Sequence, residues 1–213
     1  MKALTHTLLP ILMLALVPMA QAQRIHAFVT SGLTLSQIEG DELKGFRQTG
    51  NTSGVGALAA LNNSRTLGLS IEALFSQRGA YNSYGEPYVG RITLNYVDIP
   101  LLLHFQDRRG GMLVGAGLVY GRLVQQPHGT LKYNPNIFIP DTTDMEFAKH
   151  DLSAALDFRF TVWRGLQFNF RFQHSLIPVK RDWHFIDKLG QQERHIYRNA
   201  YNQSIALRLI WQF

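Results

Sequence analysis

His174 and Ser175 stand side by side in Phe172-Gln173-His174-Ser175, and these are the side-chain types that a hydrolytic nucleophile and its base require. The stretch alternates apolar and polar residues, so in a strand the two neighbours point to opposite faces, out of hydrogen-bond reach. His150 beside Asp151 and His184 near Asp182 are examples of His and carboxylate pairs that three-dimensional convergence would have to complete. The loop histidines His128, His150, His184 and His195 lack a local His-x-x-x-His spacing, so no metal site is expected. Asp141, Asp144 and Glu146 crowd together without the glycine-punctuated oxygen pattern of a calcium loop and read as solvated. No phosphate-cradling glycine loop, nucleotide motif or nucleic-acid module is present, and the net charge of +6 is spread along the chain. We therefore expect no catalytic, cofactor-binding or metal-ligating residue and no nucleic-acid partner.

The charges that do form a pattern are those at alternating positions of strand-like segments. Glu72, Arg91, Asp98, Asp157, Arg159, Arg171 and Arg208 fall on the polar face of their segments. Brought together inside a closed sheet, four cations and three anions would pair, because charge held away from water is costly unless compensated. The segments are Arg24 to Ser36, Thr52 to Asn62, Arg65 to Ser76, Val89 to Phe105, Met112 to Val124, Asp151 to Val162, Gly165 to Ser175 and Tyr201 to Phe213. In the seventh, Leu166, Phe168, Phe170 and Phe172 alternate with Gln167, Asn169, Arg171 and Gln173, the period of two of a strand with one apolar face.

The joins alternate in length. Asn62-Asn63-Ser64, Gln106 to Gly111 and Trp163-Arg164-Gly165 are tight turns, whereas Gln37 to Gly50, Arg78 to Tyr88, Gln125 to Lys149 and Leu176 to Asn199 are long. Short turns at one end and four long loops at the other is the plan of an eight-stranded antiparallel transmembrane β-barrel, with short periplasmic turns and extracellular loops. At eight strands side chains fill the lumen, and Gly54, Gly56, Gly115, Gly117 and Gly121 leave room for large facing residues. A plug is expected, with a narrow ion-conducting path as the channel alternative. Between Val89 and Phe105 the apolar residues pass from even numbers (Ile92, Leu94, Tyr96) to odd (Ile99, Leu101, Leu103, Phe105). With Pro100 unable to donate to a ladder, this phase change predicts a β-bulge at Val97, Asp98 and Pro100, or else two short strands with a break.

The two ends fit an exported barrel. Residues 1–22 carry Lys2, an apolar stretch from Leu8 to Ala20 and Ala20-Gln21-Ala22 as a cleavage site, the pattern of a secretory signal peptide. The expected domains are that peptide and a barrel over 23–213. Hydrophobic residues make up 46% of the chain and mean hydropathy is −0.08, with no later apolar run of about 18 residues, which excludes a helical membrane protein. The absence of cysteine excludes lipoprotein acylation, disulfides and thiol chemistry. At the far end Leu207, Leu209, Trp211 and Phe213 make an apolar stripe with aromatics at its tip, suited to a lipid face and its interface.

Asn95-Tyr96-Val97-Asp98-Ile99-Pro100-Leu101-Leu102 resembles the Tyr-x-x-Ile-Pro-Leu-Leu stretch of PorT-like outer-membrane β-barrel proteins. Glu72 to Gly79 is similar to that family's Ser-Gln-Lys/Arg-Gly strand end, and Gly115-Ala116-Gly117 to the glycine-bearing strand after it. The resemblance, over roughly Arg24 to Phe213, implies the barrel fold and a Gram-negative outer-membrane location; some members are linked to protein secretion. Leu207, Leu209, Trp211 and Phe213 also resemble the C-terminal signal read by the barrel-assembly machinery. The eight-stranded lipid A deacylases, by contrast, resemble Phe-x-His-x-Ser, and here His174 and Ser175 are adjacent.

The expected protein is a monomeric, non-enzymatic outer-membrane barrel, a surface or scaffold protein acting through its loops on envelope or secreted proteins or on lipopolysaccharide. The fourth loop favours this, since Lys180 and Arg181 precede Trp183 and Phe185, a basic and aromatic mixture suited to glycolipid phosphates at the leaflet rim. The alternative is a lipid-modifying enzyme of the lipid A acyl hydrolase or transferase type.

Overall fold

A computed structural model of the chain describes residues 25–40, 45–62, 64, 66–81, 88–107, 111–125, 130–133, 146–189 and 192–213. The expected signal peptide and its cleavage site lie outside the described residues, as do His128, Asp141 and Asp144. The chain forms β1 (Ile25–Glu39), β2 (Gln48–Ala60), β3 (Leu67–Tyr81), β4 (Tyr88–Gln106), β5 (Met112–Gln125), β6 (Thr130–Tyr133), β7 (His150–Trp163), β8 (Leu166–Ser175), β9 (Lys180–Leu189) and β10 (Gln192–Gln212). Eight of these, β1, β2, β3, β4, β5, β7, β8 and β10, pair antiparallel in that order. The sheet closes on itself through β1 and β10, from Phe28↔Gln212 to Glu39↔Tyr201. The result is an eight-stranded antiparallel barrel in which closure removes the unpaired edges that an open sheet would carry into lipid.

Period-two alternation decides what each face meets. On β4, Val97, Ile99, Leu101, Leu103 and Phe105 are all exposed on the outside, and Leu67, Leu69, Ile71 and Phe75 continue the belt on β3. Leu207, Leu209 and Trp211 do so on β10. The nine positions from Val97 to Phe105 match the roughly 9–11 residues that a tilted strand needs to cross a bilayer.

β4 and β10 are far longer than that, at 19 and 21 residues. The surplus lies beyond the belt at the long-loop end, where the amphipathic sense reverses. Ile92, Leu94 and Tyr96 face inward there and join Ile38, Ala80, Leu123, Phe147, Val179 and Ala200 in a buried apolar cluster. Outside at the same level stand Asn95, Gln77 and Gln203, with Gln77 Nε2 donating to Asn95 Oδ1 at 3.1 Å. Backbone bonds tie the joining segments onto this crown, from Ala148 N to Val179 O at 2.7 Å and from Val179 N to Ala200 O at 2.8 Å.

This reversal corrects the expected bulge at Val97, Asp98 and Pro100. Even-numbered residues of β4 face inward along its described length, and β4 is one continuous strand. The β3–β4 ladder passes from Ile71↔Leu101 to Leu74↔Asp98 without an inserted residue. What changes near Val97 is the solvent outside the wall, lipid below and water above. A register shift does occur nearby, on the other side: Asn95↔Gln125 and Tyr96↔Leu123 leave Val124 of β5 as the extra residue. The long joins also hold more strand than expected. β3 runs on to Tyr81, β6 pairs with the start of β4, and β9 forms a hairpin with β10 from Leu189↔Gln192 down to Lys180↔Ala200.

Candidate functional site: two charge layers across the lumen

Inward-facing polar side chains are buried through the middle of the barrel, and the ionised ones form two layers. The lower layer holds Glu72 from β3, Asp157 and Arg159 from β7, Arg171 from β8 and Arg208 from β10. Glu72 accepts from Arg159 Nη2 at 2.7 Å, from Arg171 Nη2 and Nη1 at 2.7 and 3.1 Å, and from Arg208 Nη1 at 3.0 Å. Asp157 accepts from Arg159 Nε at 2.8 Å and Arg171 Nε at 2.6 Å, with Arg208 Nη2 at 3.5 Å. Asn169 Oδ1 accepts a hydrogen bond from Arg208 Nε at 2.8 Å. Three guanidiniums share two carboxylates, so this layer carries a net charge of +1. The Arg159 guanidinium also lies 4.9 Å from the centre of the Phe28 ring, a distance at which the ring face attracts a cation.

The upper layer sits under the apolar crown. Arg78 from the end of β3 pairs with Asp98 of β4 and, at 3.1 Å, with Asp151 of β7. Ser153 Oγ donates to Asp151 at 3.0 Å, and the Tyr96 ring lies 4.8 Å from the guanidinium carbon. Asn202 Nδ2 reaches the Tyr96 hydroxyl at 3.2 Å. One guanidinium faces two carboxylates, a net charge of −1. The layers therefore cancel: four arginines and four carboxylates cross the lumen with no charge left over. The space between them, lined by residues that include Thr34, Asp98, Arg171 and Arg208, is about 10 Å³, room for one water at most.

Close approach explains two of the glycines. A Cβ on Gly121 would lie 2.8 Å from Asp98 Oδ1 and 3.3 Å from the Tyr96 ring, and one on Gly115 would lie 2.4 Å from His104 Nδ1. Both positions must lack a side chain for the facing polar groups to fit.

Of the seven residues read from the sequence as lumen charges, the structure places Asp98 in the upper layer and Glu72, Asp157, Arg159, Arg171 and Arg208 together in the lower one. Arg91 is a correction. It is exposed at the long-loop end, its Nε donating to Gln48 Oε1 at 2.9 Å, because odd positions of β4 point outward at that height too. Arg78 and Asp151 were missed, although carrying the alternation of β3 one inward step past Ser76 reaches Arg78. Treating Arg78 as the first residue of a loop hid it.

Ser175 faces inward and is buried, with Oγ accepting from Asn202 N at 3.2 Å. His174 faces outward, stacked on Tyr201 with ring centres 6.2 Å apart. His150 and Asp151 are split in the same way, His150 outward and 2.6 Å from the Tyr120 hydroxyl, Asp151 inward on Arg78. Among the described residues no three His, Asp or Glu gather as a metal set. Lys180 Nζ lies 5.7 Å over the Phe147 ring and Arg181 is exposed. Trp183 and Phe185 sit on β9 opposite Arg198 and Ile196, and their side chains, like those of Asp182, His184 and His195, lie outside the described residues. At the other end Leu207, Leu209, Trp211 and Phe213 are exposed on the outer face, and Phe213 N donates to Ala27 O at 2.9 Å.

The fold and the packed lumen define a small eight-stranded transmembrane β-barrel. Comparison with solved structures finds similarity to the attachment invasion locus protein Ail of Yersinia pestis, at TM-score 0.48 and 12% identity over 88% of this chain and 98% of Ail. Neisserial surface protein A superposes at TM-score 0.47 and 9% identity, over 88% of this chain and 97% of its own. OprG from Pseudomonas aeruginosa gives 0.42 and 12%, over 89% and 95%. These identities carry no ligand or activity to this chain. No protein-family model matches it, and no curated protein is significantly similar to it.

Proposed function

We propose that this chain, after removal of residues 1–22, is a non-enzymatic integral protein of the Gram-negative outer membrane, a monomeric scaffold whose strands and loops beyond the bilayer engage envelope or secreted proteins or lipopolysaccharide. The observation that carries this reading is the closed lumen: two salt-bridged layers beneath an apolar crown leave no solute path. The outward belt supports a bilayer setting, and the long-loop end, built out well beyond that belt, is where a rigid barrel presents binding surface. The opposed faces of His174 and Ser175, and of His150 and Asp151, weigh against a hydrolase, since a nucleophile and its base must meet. The PorT-like resemblance of Tyr96 to Leu102 adds a role in protein secretion or envelope integrity to this proposal. Lys180, Arg181, Trp183 and Phe185 are assigned to glycolipid or partner contact, and Leu207 to Phe213 to recognition by the assembly machinery.

Crosslinking and pull-down from intact cells tests the scaffold role, with an envelope partner recovered from the full barrel and lost when residues 182–198 are replaced by a short turn. Planar-bilayer recording of the purified protein is expected to show no stable open conductance. A large conductance would turn the reading to a channel. A lipid A acylation change abolished by His150→Ala would turn it to an enzyme.

A further inference from the structure

The two ends of the lumen differ, and among the described residues the short-turn end is open. Below the lower charge layer lies a cavity of about 230 Å³. Its lining carries three carboxamides, Gln106, Gln167 and Gln212, and two imidazoles, His26 and His104, between apolar walls that include Leu58 and Leu113. It ends blindly: Gln167 is one inward step below Asn169, and His104, buried and bonded through Nε2 to Ser70 Oγ at 2.7 Å, lies 4.0 Å from Asp157. Gln167 Nε2 donates to Gln212 Oε1 at 3.0 Å, which fixes both amides and leaves Gln167 Oε1 and Gln212 Nε2 for another partner.

We infer that this cup is a docking site for the tip of a periplasmic polypeptide, one apolar residue with its flanking peptide groups. The inference rests on the orientation in the proposed function, which turns the short-turn end toward the periplasm. The ligand class follows from the lining. Carboxamides offer one donor and one acceptor in the geometry of a backbone amide, and Leu58 and Leu113 give an apolar residue somewhere to sit. Among the described residues, none lining the cup is Asp, Glu, Lys or Arg, and the guanidiniums of the layer above are already held by Glu72, Asp157 and Asn169. An ionic ligand therefore finds no counter-charge in the described lining. Among the described residues the lining also holds no Trp, Tyr or Phe face on which a sugar ring would stack. The size sets a limit: 230 Å³ is below the roughly 300–1,000 Å³ of sites for drug-sized ligands, so only a tip enters.

The test uses the purified barrel in lipid nanodiscs, titrated with N-acetyl-leucine amide while the side-chain amide signals of Gln106, Gln167 and Gln212 are followed by NMR. Saturable shifts are expected, weakened at least tenfold in Ala60→Trp, which fills the cup from its wall, and N-acetylglucosamine is expected to give none. Unsaturable shifts, equal response in Ala60→Trp, or a stronger response to the sugar overturn the inference. Orientation is read separately. The chain has no cysteine, so Ala60→Cys provides a single label. Modification by a membrane-impermeant thiol reagent only after the outer membrane is permeabilised is expected. Labelling in intact cells would overturn the orientation, and with it the periplasmic partner, whatever the titration shows.

Discussion

The same strand, β4, builds two regions with opposite interiors. From Val97 to Phe105 its outward residues are apolar, and the inward ones include Asp98 and His104. From Arg91 to Tyr96 its outward residues are Arg91, Thr93 and Asn95, and its inward ones are Ile92, Leu94 and Tyr96. The alternation of β4 continues unbroken through both, with the β4–β5 register shifting between Asn95 and Tyr96. The difference lies in what surrounds the wall. Where lipid lies outside, apolar side chains gain nothing by turning inward, so the lumen is filled with groups that satisfy one another electrostatically. Where water lies outside, the hydrophobic effect again favours an apolar interior. Burial of charge in the first region is tolerable because each guanidinium and carboxylate of the two layers has at least one ion-pair partner, and burial of Leu94 in the second needs none.

The largest effect is expected where that electrostatic accounting is broken. Removing one member of a buried ion network costs about 3–5 kcal/mol, and the net charge of the lower layer decides which member costs more. Glu72→Gln removes the hub accepting from three arginines and raises the layer from +1 to +2. Arg171→Ala lowers it from +1 to 0. Although the first substitution nearly preserves shape and the second does not, Glu72→Gln is expected at the top of that range and Arg171→Ala at the bottom, measured as urea unfolding midpoints in detergent or vesicles. The reverse order would mean that packing, not charge balance, holds the layer.

Next in size is a charge on the lipid face. Leu101→Arg, mid-belt on β4, is expected to cost about 2–4 kcal/mol, and arginine at Asn95 on the same face about 0–1. Equal costs would place both positions in one environment and erase the boundary.

The crown should respond locally. Leu94→Ala is expected to remove about 2–3 kcal/mol, at the low end for a buried leucine because strand ends relax more readily than a closed wall. Hydrogen exchange should quicken at amides of Ile92, Leu94 and Ala200 while the heat-modifiable migration of the barrel stays unchanged. Loss of that migration would show that the two regions unfold as one unit.

Much of this was legible in the residues. The alternation through Leu166 to Gln173 specifies a strand and its two faces, and the alternating short and long joins specify an up-and-down barrel. Five lower-layer charges lie on faces that parity assigns directly. The crown was not legible, because an inverted interior reads in sequence as a change of phase: Ile92, Leu94 and Tyr96 look lipid-facing when lipid is assumed along the whole strand. That single assumption produced the bulge at Val97 to Pro100, placed Arg91 inward and ended β3 before Arg78. The partner set of Glu72 was beyond parity altogether. Parity puts Arg159, Arg171 and Arg208 inside but does not give their heights, which depend on the stagger of strands far apart in the chain.

The smallest effect marks the boundary itself. Asn95 faces outward two residues above Val97, half-buried, its Oδ1 accepting from Gln77 Nε2 at 3.1 Å. If water meets the wall at that height, Asn95→Leu trades one part-buried hydrogen bond for solvated apolar surface, and stability should change by less than about 0.5 kcal/mol. If the hydrocarbon layer reaches that height, the same leucine would be buried in it, with a gain set by about 25 cal/mol per Å² of apolar area. A Val97→Asn companion, measured in the same vesicles, is expected to destabilise. Midpoints that move in opposite directions for the two substitutions, Asn95→Leu up and Val97→Asn down, would put both residues in lipid and raise the boundary by at least one inward-outward step. A flat response at 95 with a loss at 97 fixes the transition between the two interiors at the height of Tyr96, the residue whose ring already lies against both the Arg78 layer and the apolar crown.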